Sequence, residues 1–302
     1  MLNWHTDFKW SIRGVTVKDT GAFVPFNISL LKDLWVWLPY YCVERCLRFG
    51  KKSEFTITYT PKKGRPWYLL PITLLRAGGK STRQRQADLA IYFFDKTIQE
   101  KPSTPSANHY FNFECLDISK SKVAKVFEEV FGYNLAVDPA KFTGHMVCKS
   151  EHNGAHDGHI ITGPVTPREG WVYQRVINNA TNDGTVADLR CPTVRGRIPL
   201  IFIKERPIDQ RFANFNSRCR LSTPEAHFSA KELDLLSQFC KKMKLDWGGL
   251  DVLRDKETNR LYIVDVNKTD MGPPLALPMK DKLKSTDILA HAVRDIILGK
   301  TS

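Results

Sequence analysis

No stretch of this chain carries five or six like charges in succession, so its basic residues are not gathered into a tail. No CxxC pair occurs, and the cysteines number seven, an odd count that argues against a disulfide framework. Cys42 and Cys46 lie four apart, which reads as one face of a helix and not as a zinc knuckle. Reduced thiols in a cytoplasmic protein are the expectation. The first residues lack the basic stretch, apolar core and cleavage site of a signal peptide. The most apolar region, 22–43, is interrupted by Pro25, Asn27, Lys32, Asp33 and Pro39. It falls short of the ~20 apolar residues that a spanning helix needs. Trp35 and Trp37 leave peripheral membrane contact open, with core packing as the expectation. No RRM, KH or zinc-finger signature is present, and the tryptophans sit among apolar neighbours, so nucleic acid is not an expected partner. Internal repeats and low-complexity segments are also missing.

What is there suits a globular protein. Of 302 residues, 42% are hydrophobic and 25% charged, enough for a core without disulfides or structural metal. Lys and Arg total 45 against 32 Asp and Glu, a net charge of +13. Such a surface favours anionic partners, whether nucleotides, nucleic acid, acidic metabolites or an anionic membrane face.

Residues 1–100 are rich in aromatics and give little period. Glu54 to Thr60 alternates as a strand, and Ala87 to Phe94 ends as one. Arg76 to Arg85 reads as a basic turn-rich stretch. Lys101 to Asn108, with two prolines and small polar residues, reads as a linker. Beyond it, Ser119 to Phe131 has helical spacing and Gly132 as its stop. Strands are expected at His145 to Cys148, near His159 to Thr162, at Trp171 to Ile177 and at Ile198 to Ile203. Ser229 with Glu232 forms a capping box for a second helix. Thr286 to Leu298 reads as a last amphipathic helix. The mixture predicts an α+β fold.

The informative segment is Gly249 to Asn267. Leu250 to Arg254 and Leu261 to Val266 flank the polar turn Asp255–Arg260, which predicts a hairpin. Asp265 and Asn267 are two apart and share a face. A turn centred on Thr258 places Asp251 opposite Asp265. Opposed carboxylates destabilise a sheet unless a cation or a shared proton lies between them. Two carboxylates and an amide oxygen are hard ligands suited to magnesium or manganese.

Asp251, a turn, and then Asp265-Val266-Asn267 resemble the metal signature of the ATP-grasp superfamily, and the likeness extends over roughly residues 116–275. The resemblance implies ATP held with Mg2+ or Mn2+ between two α+β lobes, behind an N-terminal subdomain. Residues 1–108, 109–180 and 181–302 are the expected subdomain, small lobe and large lobe. It also implies a phosphate-contacting lysine at Lys149, ending a strand, and another near the first clear helix, Lys122 or Lys120. The loop Ser150 to Gly158, with Gly154 and Gly158, would cover the phosphates. It carries His152 and His156, with His159 just beyond, and is poorer in glycine than the family pattern. Gln174, Arg175 and Val176 resemble the hinge strand that meets adenine through its backbone. Some family ligases place an arginine two residues before the first metal carboxylate. Gly249 stands there, which leaves Arg190 or Arg254 for that task. Arg190 and Arg211 are candidates for phosphate or substrate-carboxylate contact. The implied activity is a ligase that activates a carboxylate as an acyl phosphate for attack by an amine or other nucleophile. An ATP-grasp kinase and a non-catalytic nucleotide-binding regulator are the alternatives, with a basic nucleic-acid-binding protein ranked behind them.

Overall fold

The computed structural model describes residues 4–18, 23–82, 84, 86–155, 157–213 and 215–299. Its fold is α+β. The chain forms two compact units. One comprises Met1–Lys96, Pro102–Phe113 and Thr269–Ser302; the other Thr97–Lys101 and Glu114–Lys268. Compactness therefore divides the chain near 96, 113 and 268, where the sequence suggested 108 and 180. The C-terminal residues, expected in the large lobe, go with the first unit.

In the first unit, strands β1 (Phe8–Ser11), β2 (Gly14–Val17) and β3 (Phe23–Pro25) form a small antiparallel sheet. Asn27 then caps helix α1 (Ile28–Arg48), its side chain accepting from the Leu30 amide at 2.9 Å. Strand β4 (Phe55–Pro61), helix α2 (Leu69–Arg76) and strands β5 (Gly79–Ser81), β6 (Gln86–Phe93) and β7 (Ser106–Phe111) follow. These four strands make a parallel sheet in the order β5-β4-β6-β7. Parallel strands are covered on both faces, which explains the unbroken apolar run Leu89-Ala90-Ile91. Two expectations change here. The basic stretch from Arg76 contains β5, though residues 83 and 85, Arg85 included, lie outside the described ones. The linker reading of 101–108 ends early, because Ser106 already pairs with Gln86. Small polar residues mislead there, since β7 is an edge strand.

The C-terminal helix (Met279–Leu298, begun earlier than Thr286) packs on α1 and α2. Tyr40 Oη lies 2.7 Å from Thr286 Oγ1. Beside it Glu44 is fully buried, 3.5 Å from Arg76 Nε, and neither of its oxygens has a hydrogen-bond partner. Burial raises the Glu44 carboxyl to about 7, with Arg76 opposing. A carboxyl that holds its proton longer when folded favours the folded state below the unfolded value of 4.5, and loses that advantage as pH climbs to about 7. Glu44→Gln should therefore melt higher than the parent at pH 8, by on the order of 2–3 kcal/mol, and equally at pH 4. Thermal melts across that range check it; a variant that is no more stable at pH 8 refutes it.

The second unit begins its regular structure with α3 (Lys120–Phe131), capped by Ser119 and stopped by Gly132 in the left-handed region at φ 76°. Strands β8 (Gly144–Ser150), β9 (His159–Gly163) and β10 (Trp171–Arg175) form an antiparallel sheet in the order β10-β8-β9. Strand β10 ends before Val176 and Ile177, which the sequence reading had included. A five-stranded antiparallel sheet follows: β11 (Thr185–Val194), β12 (Ile201–Pro207), β13 (Arg218–Ser222), β14 (Trp247–Arg254) and β15 (Leu261–Asn267). Its order is β13-β12-β11-β14-β15. Helix α4 (Ala230–Lys242) carries the expected capping box between Ser229 and Glu232. One sheet face, through Leu189, Ile203, Leu250 and Val266, joins Phe127 of α3 and Phe239 of α4 in a single buried cluster. Burying each such side chain contributes roughly 1.5–3 kcal/mol. The opposite face carries Asp188, Arg190, Lys204, Asp251 and Asp265 beside the buried Phe202, and the candidate site lies on it.

Candidate functional site

The hairpin β14–β15 has the expected register: Asp251 pairs with Asp265, and Gly249 with Asn267. A bulge follows Asp251, so Val252 meets Ile263 and Val264 is passed over. The two strands approach closely at the other end. A Cβ on Gly248 would come within 2.5 Å of the Asn267 carbonyl oxygen, so only glycine fits.

Cross-strand pairing extends this polar face across the sheet. Arg190 of β11 stands opposite Asp251, and Asp188 opposite Lys204 of β12. Arg190 Nη1 donates to Asp251 Oδ2 at 2.7 Å, and Lys204 Nζ to Oδ1 at 3.1 Å. Arg206 Nη2 donates to Asp188 Oδ2 at 2.7 Å. Burial works against charge on Asp251, but Arg190 and Lys204 together outweigh it and hold its carboxyl well below the usual range. Asp265 moves the other way. Burial raises its carboxyl, Lys149 and Lys120 offset only part of this, and Asp251 adds to it. Its Oδ1 is buried and accepts no hydrogen bond.

Lys149 sits near the end of β8 and donates to the Val264 carbonyl at the bulge, 3.0 Å away. Burial lowers its ammonium to about 8, with Asp265 and Asp251 opposing and Lys120 assisting. Lys120 is buried at the start of α3 and donates to the His152 carbonyl. Lys122, its neighbour two places on, is exposed. Of the two candidates the structure thus brings Lys120 to the carboxylates, because residues two apart on a helix do not share a face.

The loop after β8 is tied down at both sides. Ser150 N donates to Asp157 Oδ1 at 3.1 Å, and Asn153 N to Thr97 Oγ1 at 3.0 Å. Gly154 takes the left-handed conformation with open space where a Cβ would be. Gly158 lies against the Phe212 ring. His152 and His159 are not joined in a ligand set: among the described residues no group of three or more His, Cys, Asp or Glu side chains is placed to hold a metal ion. His156 lies outside the described residues.

Gln174 of β10 is buried, and its Nε2 has no hydrogen-bond partner. The Arg175 amide donates to Leu135 O at 2.9 Å, and its side chain turns outward to Asn134. Val176 follows the strand. Arg211 donates to Ile177 O at 2.7 Å and to Asn179 Oδ1 at 2.9 Å, fixing the chain just past it. Arg254 is the clearest departure from expectation. It donates to Glu232 at 2.9 Å, to His227 O at 2.6 Å and to Asn259 O at 2.8 Å. It is three residues from Asp251, so strand alternation turns it to the helix face, away from the carboxylates. Sequence reasoning passed over Lys204 and Arg206. Their i, i+2 spacing in Ile201-Phe202-Ile203-Lys204-Glu205-Arg206 was the available signal. Glu205 between them faces the other way, to Arg218 and Arg220.

The face therefore gathers five cations (Lys120, Lys149, Arg190, Lys204, Arg206) around three carboxylates (Asp188, Asp251, Asp265). An excess of positive charge with one unsatisfied carboxylate oxygen can accept a polyanion together with a divalent cation.

No family model matches the chain, and no curated protein matches it. Solved structures do. The chain is similar to the ATP-grasp ligase PsnB complexed with minimal precursor, at 15% identity over 65% of this chain and 66% of that one, with a TM-score of 0.46. It is similar to a RimK domain protein ATP-grasp from Sphaerobacter thermophilus DSM 20745, at 10% identity over 81% of this chain and all of that one, TM-score 0.45. A third is the L-amino acid ligase from Bacillus licheniformis, at 12% identity over 65% of this chain and 50% of that one, TM-score 0.38. The chain spans just under two thirds of the PsnB chain and half of the L-amino acid ligase. Read from its own elements, the second unit is α+β, with β8, β10 and the paired-carboxylate hairpin β14–β15 following in that order.

Proposed function

We propose that the protein is an ATP-dependent ligase acting in the cytoplasm. It activates a carboxylate as an acyl phosphate and passes the acyl group to an amine or another nucleophile. The reading rests above all on one observation: Asp265, with a buried and unsatisfied oxygen, stands opposite Asp251 on a sheet face ringed by Lys149, Lys120, Arg190 and Lys204.

The triphosphate lies against this face in our reading. Lys149 and Lys120 neutralise its oxygens, the 150–158 loop borders it, and the backbone at Gln174 to Val176 meets the base. Residues 114–180 and 181–268 serve as the small and large lobes. Asp265 fits a divalent cation on the chemistry of its orphaned oxygen, with Asn267 on the same face and Asp251 opposite; Mg2+ or Mn2+ there would spread the charge of the transferring phosphoryl group. An oxygen of the acid substrate attacks the γ-phosphorus and ADP leaves. The nucleophile then attacks the carbonyl carbon and phosphate leaves. Arg190 and Arg206, on the same sheet face, would hold the acid or the developing charge. Positioning and charge neutralisation suffice for both steps.

The test is a screen for phosphate release from ATP and magnesium across amino acids, peptides, and hydroxy and sugar acids. Release that requires both a carboxylate and a nucleophile, with ADP formed, supports the ligase. ATP turnover without any carboxylate makes it a kinase instead. One observation favours a second reading: both Asp251 oxygens are already engaged by Arg190 and Lys204. A nucleotide-binding regulator would keep that arrangement, and would bind ATP without turnover against every member of the panel.

A further inference from the structure

We propose that the first half of α1 and the tip of the β1–β2 hairpin form a docking surface for an anionic phospholipid membrane. Core packing was expected of this apolar segment; the buried residues of α1 are Tyr40 and Glu44, in its second half, and Trp37 is half-buried against Trp67. From Ile28 to Pro39 the helix has no buried residue. Ile28, Leu31 and Trp35 fall on one stripe, at i, i+3 and i+7, with Ile28 72% and Trp35 82% exposed. Lys32 and Asp33 are the only charges between Ile28 and Val43. A helix apolar all round is normally enclosed, and this one is enclosed for half its length.

The hairpin continues the same surface. Ile12 at its tip is 100% exposed, and Trp10 is 57% exposed. The Phe26 ring lies 6.5 Å from Trp10, and the Phe26 amide donates to Arg13 O at 2.9 Å, holding the tip beside the start of α1. Trp10, Ile12, Phe26, Ile28, Leu31 and Trp35 are each at least half exposed, and a group of large apolar side chains left open in this way marks an interaction surface.

Charge selects the occupant. Lys9, Arg13, Lys18 and Lys32 are exposed on this hairpin and helix, against Asp33 alone among the described residues 8–18 and 23–39. None of the four makes an ion pair with a described residue. A second copy docked face to face would bring these cations together, which disfavours a dimer. Aromatic and aliphatic side chains rimmed by Lys and Arg are instead the pattern of a surface that settles into anionic headgroups. Each basic residue strengthens such binding about fivefold. Among the described residues no helix is long and apolar enough to cross a membrane, so the face lies on the bilayer.

The test is sedimentation of the full chain with vesicles of phosphatidylcholine, with and without phosphatidylserine. The chain should pellet with the serine-containing vesicles, at least ~5-fold more than with the neutral ones, and high salt should reduce the difference. Leu31→Glu with Trp35→Glu should lower the bound fraction about tenfold or more and leave the melting temperature unchanged, since both side chains are exposed. Arg13→Glu with Lys32→Glu should reduce binding to the level on neutral vesicles. Failure to pellet with either vesicle overturns the proposal, as does undiminished binding by the double glutamate variant. A stable dimer that the glutamates dissolve would also overturn it, by making this face a self-interface.

Discussion

Asp265→Asn should reduce magnesium-dependent ATP turnover by about 10³ or more while leaving the melting temperature at or above that of the parent. The two halves of this result come from different features of one side chain. As a buried carboxylate with an unpartnered oxygen, Asp265 is held unfavourably in the ligand-free fold, which is why its pKa is raised. Replacing it with a neutral isostere relieves that unfavourable term. As a carboxylate oxygen of this face without a hydrogen-bond partner, it cannot be replaced by an amide without losing the charge that draws the ion. A purely structural aspartate would behave oppositely, with the fold weakened and any activity falling in step. Turnover by the variant at the parent's rate would remove the metal assignment. A large drop in melting temperature would show instead that Asp265 has an internal partner.

Legibility differed by element for physical reasons. The β14–β15 hairpin was readable because two short apolar runs flank a polar turn, and strand alternation does the rest, down to the Asp251–Asp265 pair. Arg254, named only as a stand-in for the arginine missing at Gly249, was not put to that rule. Its odd spacing from Asp251 sends it to Glu232 on α4. Lys204 and Arg206 were hidden inside Lys204-Glu205-Arg206, a triplet that looks like surface charge until parity divides it between two faces. Lys120 and Lys122 could not be separated without knowing which way α3 turns its buried stripe. α1 gave no period, since its first three turns are apolar on nearly every side, and a uniform stretch carries no helical signal. The linker at 101–108 failed for a related reason: an edge strand of small polar residues has neither an apolar run nor clear alternation. The parallel pairing of β4 with β6 is non-local and leaves little trace in a single sequence.

Lys149→Met should stabilise the ligand-free protein at neutral pH and weaken ATP at least ~30-fold. The ammonium of Lys149 has an unfolded value of 10.5 and a folded value of about 8, because burial disfavours its charge. At pH 7 it is protonated in both states, and the folded one bears the full penalty, on the order of 3 kcal/mol. The penalty fades as pH rises from about 8 towards 10.5, where the unfolded chain alone still holds the proton. Methionine keeps much of the length and removes the charge, at the expense of the bond to Val264 O, about 1 kcal/mol. Thermal melts should therefore show the variant above the parent at pH 7 and the gap closing at high pH. A bound polyanion reverses the balance by drawing the proton back onto Lys149. The parent should then take up a fraction of a proton per nucleotide near pH 8, seen by calorimetry in buffers of different ionisation enthalpy, and the variant should not. Equal ATP affinity in the two proteins, or a less stable variant at pH 7, would mean that Lys149 serves the fold and not the triphosphate.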